Sequence, residues 1–81
     1  MGKKPRAKPE LLAAKLRVIR LRLEFSQSQM ARSLGYQMTT ARISEYESGI
    51  REPNLLVLLA YARAGDVTVD DLIDDHKKLR F

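Results

Sequence analysis

Residues 26–49 read SQSQMARSLGYQMTTARISEYESG, and they carry two complete sets of helix start and stop signals. Ser26 is a good N-cap, and Gln29 three positions later completes a reciprocal capping box. Phe25 before the cap and Met30 inside the helix are spaced as a hydrophobic staple. Met30, Ala31 and Leu34 fall on one helical face, and Gly35 stands where a left-handed residue would end the helix. The second start signal is Thr39, with Met38 and Ile43 as its staple. Ile43 and Tyr46 give that helix an inward face, and Gly49 stops it. Ala31 is small enough to let the two helices approach closely.

Two helices joined by a turn in this way form a helix-turn-helix, a motif whose second helix enters the major groove of DNA. The flanking sequence reads as its scaffold. Before the motif, a helix is expected from about Pro9-Glu10, where proline suits the first turn and glutamate the positive end of the dipole. Leu12, Leu16, Ile19 and Leu23 form its buried stripe, while Lys15, Arg17 and Arg22 fall off that stripe and read as a solvated face. After the motif, Asn54 can cap a fourth helix over residues 55–64 that is apolar nearly all round and is broken by Gly65. Leu55, Leu58, Leu59 and Ala62 are its expected inward face. A fifth helix starts at Thr68 with Asp71 in the capping-box position; Val69, Leu72 and Ile73 are expected to cover the core. Asp70, Asp71, Asp74 and Asp75 lack the spacing of a calcium loop and read as a solvent-facing acidic face.

Eighty-one residues without cysteine make one small domain that neither disulfides nor a thiolate metal site can staple. No run alternates apolar and polar residues between turn signals, so the expected fold is all-α, a compact bundle of about five short helices. Its expected organisation is a basic flexible arm at 1–8, the helical domain at 9–75 and a tail at 76–81. Nothing reads as a signal peptide, and the apolar run 55–62 is far short of the roughly 20 residues of a membrane span. A soluble cytoplasmic protein without membrane contact, associated with the nucleoid, is expected.

The charge is unevenly placed. Residues 1–51 carry eleven Lys or Arg against four Glu, a net +7, whereas residues 52–81 carry four against six acidic residues, a net −2. The basic half is the half that holds the helix-turn-helix, which favours a polyanionic partner and salt-dependent affinity. In the arm, Lys3, Lys4, Arg6 and Lys8 alternate with prolines. They read either as a DNA-contacting arm or as a solvated terminus.

Arg20, Ser26-Gln27, Met30-Ala31, Leu34-Gly35, Ile43-Ser44, Glu47, Gly49, Arg51, Pro53, Leu58-Leu59, Ala62 and Val67 to Leu72 stand in the order of a known family. Over residues 12–75 the chain resembles the helix-turn-helix domains of the phage repressor and Cro type, the XRE family, and so a lambda-repressor-like DNA-binding domain. Its turn, Gly35 to Thr39, is two residues longer than the family's usual one. The resemblance implies that Arg20 pairs with Glu47, that Gln27 and Arg51 meet phosphates, and that Thr40, Ala41 and Glu45 face base edges. Thr39, Arg42 and Ser44 would lie nearer the backbone. Side-chain chemistry adds that Arg42 can reach guanine with a bidentate fork, that Thr40 and Ala41 can meet a thymine methyl, and that Glu45 can accept from cytosine N4. Glu45 can alternatively position Arg42 or reject sites.

The resulting expectation is a small prokaryotic or phage regulator, a repressor, that binds double-stranded DNA with the helix at about 40–48. An antitoxin with a toxin as protein partner, and an interaction module that has lost DNA binding, are the alternatives. One His, no Cys and no Gly-rich phosphate loop argue against an enzyme, and no cofactor or metal is expected. Leu56, Val57 and Ala60 add apolar surface where the family more often has polar residues. A homodimer or the chain's own Leu79 and Phe81 would cover it.

Overall fold

The computed structural model describes residues 8–35 and 37–79, so Lys3, Lys4, Arg6 and Phe81 lie outside the described residues. Five helices follow one another: α1 Leu12–Arg22, α2 Gln27–Leu34, α3 Thr40–Ser48, α4 Leu55–Gly65 and α5 Val69–Ile73, with no strand among the described residues. Local side chains start four of them. Ser26 Oγ accepts from Gln29 N at 3.1 Å while Gln29 Oε1 accepts from Ser26 N at 2.7 Å. Thr39 Oγ1 accepts from Arg42 N, Asn54 Oδ1 from Val57 N, and Thr68 and Asp71 close a second capping box. These bonds satisfy amide donors that a helix leaves unpaired in its first turn.

The start of α1 differs from its expected place. Pro9 and Glu10 precede the helix, and the residue at its cap, Leu11, has no side chain that can accept a hydrogen bond. The acceptor comes instead from the far end of the chain, where the Asp75 carboxylate receives Glu10 N at 3.0 Å and Leu11 N at 3.1 Å. Lys15 likewise departs from the solvated face expected of it. It is 7% exposed, and its Nζ donates to Asp71 O at 2.7 Å and Asp74 O at 2.9 Å. Carbonyls at a helix C-terminus carry partial negative charge and need donors, and α5 has no basic residue of its own in its last turn.

The core is led by six fully buried side chains: Tyr61, Leu16, Ile19, Met30, Ile43 and Leu72. In α4 the inward stripe is Leu58, Tyr61 and Ala62, the i, i+3, i+4 pattern. Leu55, placed inward by the sequence reading, is 77% exposed as the first residue of that helix, and Leu59 is half-buried. Ile73, also expected inside, is 41% exposed, because Leu72 fills the inward position of the short α5. Gly65 does not break α4. A Cβ there would meet the Ile19 side chain at 2.9–3.1 Å, so the glycine is what lets α1 and α4 pack this closely, and Asp66 takes the left-handed cap at φ 55°. Gly35 closes α2 at φ 138° and ψ 157°, outside the left-handed helical region expected of it. Of the surplus apolar residues on α4, Leu56 is 77% exposed and Ala60 half-buried. Val57 is packed against the core, as is Leu79 near the chain end.

Candidate functional site

Helix α3 is held by its inward side chains and by one charged pair. Ile43 and Tyr46 are buried. Glu47 receives Arg20 Nε on Oε2 at 2.7 Å and Arg20 Nη2 on Oε1 at 2.9 Å, a bidentate fork. Arg20 Nη1 also donates to Phe25 O at 2.9 Å, so a single guanidinium ties α1, the turn before α2, and α3. Only 12% and 5% of the two side chains remain exposed. The hydrogen bond to Glu47 holds the Arg20 pKa above its ordinary value, against the opposing effect of burial. Beneath the pair, Tyr61 OH is buried without a hydrogen-bond partner among the described residues. Burial first, then the Glu47 charge and Tyr46, push that phenol's pKa far upward.

The first turns of α2 and α3 are joined by Ser28 Oγ and Thr40 Oγ1 at 3.0 Å. Ser28 was not singled out in the sequence, since nothing local marks a contact made across the turn. Gln27, half-buried at the start of α2, brings Nε2 to 3.5 Å from Glu47 Oε1. It meets Ser44, Ser48 and Arg17 in a shallow polar cleft where α1, α2 and α3 converge. Two of the expected phosphate residues, Gln27 and Ser44, therefore share one place. Arg17, read only as a solvated cation, borders it.

The outward side of α3 presents exposed Thr40, Ala41, Ser44 and Ser48, with Glu45 half-exposed among them. Arg42 is exposed on the flank towards α4, in a pocket with Met38, Tyr46, Asn54 and Val57. No hydrogen bond joins it to Glu45 among the described residues. The Glu45 carboxylate instead receives Arg51 Nε at 3.1 Å, because Gly49, at φ 80°, turns the chain back over the end of α3. Thr39 spends its acceptor on Arg42 N and keeps a hydroxyl proton to donate. Lys8 approaches the same end of α3, its Nζ donating to Gly49 O at 3.1 Å.

The acidic face is mostly spent on internal bonds. Asp71 serves the α5 capping box and Asp75 the start of α1; Asp70 pairs with Lys77, and Asp74 accepts from His76 N. The Thr68 amide holds Asp71 below the usual carboxylate pKa, and the Glu10 and Leu11 amides do the same for Asp75. Among the described residues no group of three or more His, Cys, Asp or Glu is placed to hold a metal ion. Nor is any helix among them long and apolar enough to cross a membrane.

The helix-turn-helix family matches residues 16–72. The crystal structure of the P22 c2 repressor protein in complex with synthetic operator 9T in the presence of Tl+ is similar with a TM-score of 0.72 and 26% sequence identity. That similarity covers 82% of this chain and 97% of that one. No curated protein matches the sequence.

Proposed function

The chain belongs to the helix-turn-helix family, and from that premise we propose that it is a sequence-specific double-stranded DNA-binding protein, a small regulator of the repressor type. The observation that carries this is the outward side of α3, a surface of short polar and apolar side chains open to solvent with Arg17, Arg51 and Lys8 exposed around it. Short side chains let a helix sink into the major groove, and the surrounding cations suit the phosphates on either side. Its similarity to a repressor crystallised with an operator supports the same reading. In it Thr40, Ala41, Arg42 and Glu45 face bases, while Gln27, Thr39, Ser44 and Arg51 meet the backbone.

Selection from random duplex DNA at physiological salt is the direct test. A defined site is expected, with affinity falling steeply as salt rises. Recovery of unselected sequence at every position, with no salt dependence, would leave an interaction module as the better description.

A second copy of the chain completes the proposal. Leu55 and Leu56 each remain 77% exposed, and burying one leucine contributes about 1.5–3 kcal/mol. A two-fold pairing through the α4 surface would set two α3 helices about 34 Å apart for a palindromic site. Sedimentation at micromolar concentration should show a dimer that Leu56→Glu dissociates while helicity is retained. A wild-type chain that occupies one half-site as a monomer rules the pairing out.

A further inference from the structure

Glu45 and Arg51 form a unit that neither residue's separate role uses. The Glu45 carboxylate lies on the side of α3 that faces the proposed groove, and Arg51 Nε donates to its Oε1 at 3.1 Å. The backbone beneath the pair is closed as well. Glu45 O accepts from Ile50 N at 3.0 Å, from Arg51 N at 3.3 Å and from Ser48 Oγ at 3.1 Å. The exit loop is thus bonded to the carbonyl of the same residue whose carboxylate its arginine holds. With 49% and 37% of the two side chains exposed, the pair stays open to an incoming ligand and contributes little to folding.

An isolated carboxylate on a DNA-facing surface is repelled by phosphates. A carboxylate neutralised by a guanidinium is not, and it keeps an oxygen able to accept a hydrogen bond. Arginine has five N–H donors in a rigid plane; with Nε on Glu45, those on the two terminal nitrogens have no partner among the described residues. On the basis of the DNA-binding reading above, we propose that Arg51 is a positioning residue for base readout. It holds Glu45 as the acceptor for the exocyclic amino group of a base while its terminal nitrogens donate to a backbone phosphate. The phosphate contact then fixes where the carboxylate sits, and one side chain couples register to sequence.

Lysine at position 51 separates geometry from charge, because it keeps the cation and loses the fork. Wild type, Glu45→Ala, Arg51→Lys and Arg51→Ala would be titrated against the selected duplex and its single-base variants over a salt series, with circular dichroism confirming equal helicity. Glu45→Ala, which removes the acceptor, should flatten the preference at one base pair. Arg51→Lys should keep the salt slope yet lose roughly tenfold of preference at that same base pair. Arg51→Ala should lose that preference and about one unit of slope. If Arg51→Lys retains the wild-type preference, Arg51 is a phosphate anchor alone and the coupling is wrong. If Glu45→Ala changes no preference, Glu45 reads no base and the proposal also fails. Both results leave DNA binding standing, whereas a wild type that binds no duplex overturns the DNA-binding reading and this proposal together.

Discussion

Helix α1 is fastened at both ends, and the two fastenings differ in kind. Towards its C-terminus, Arg20 meets Glu47 of α3, charge to charge through a bidentate fork. Towards its N-terminus, α1 and α5 exchange groups: Lys15 donates to the carbonyls that end α5, and Asp75 accepts from the amides that lead into α1. In the first, each side chain's charged partner is the other side chain. In the second, each side chain serves the backbone of the opposite helix, so its partner has no side-chain identity. Removing a partner from the first strands a shielded charge; removing one from the second strands neutral peptide groups, which costs less.

The largest effect should therefore come from the first fastening. With the pair almost entirely shielded, Arg20→Ala should destabilise by about 3–5 kcal/mol, because Glu47 is left uncompensated. A double-mutant cycle with Glu47→Ala, read from urea melts, should return a large coupling. A coupling below about 1 kcal/mol would mean that the pair behaves as a solvent-screened surface pair.

The same contrast explains what was legible in the sequence. The helix caps were legible because their partners lie three residues away, as at Ser26, Thr39, Asn54 and Thr68. The Arg20–Glu47 pair came from the family resemblance, and both its residues have distinctive side chains. The burial of Lys15 is not legible in the sequence, because its acceptors are carbonyls 56 and 59 residues away, which any residue could supply. Off the leucine stripe it looked like Arg17, and only the docking of α5 separates them. Tyr61 is fully buried on the α4 stripe, where the sequence reading names Leu55, Leu58, Leu59 and Ala62 instead. In the candidate site the outward residues of α3 were readable from helical spacing. The partners of Glu45, Thr40 and Gln27 were not, since each depends on how neighbouring segments fold across α3.

The second fastening can be tested alone with Lys15→Met, which keeps most of the apolar stem and deletes the donor. Two carbonyls then lose a buried partner, and a loss of about 1–3 kcal/mol is expected in urea melts. A change within 0.5 kcal/mol, the range of an ordinary surface substitution, would place Lys15 back on the solvated face.

The smallest effect belongs to Asp75, and its signature is a pH dependence. Its pKa is lowered chiefly by the Glu10 amide, then by the Leu11 amide, with Lys15 and His76 adding in the same direction. A folded-state value below the unfolded value of 3.8 means that the unfolded chain binds the proton more readily. The stabilisation is thus fully present above the unfolded value and is lost as pH falls through the folded one. Asp75→Asn removes the ionisable group while keeping one carbonyl acceptor, so the gap between variant and wild type should be widest above the unfolded value of 3.8 and narrow as pH falls below it. Asp71 shifts in the same direction at the start of α5, so the variant should retain part of the acid sensitivity. Parallel stability curves for variant and wild type over that range would show that Asp75 gains nothing from ionisation. The start of α1 would then rest on Lys15 and the apolar contacts of Leu12 and Leu16.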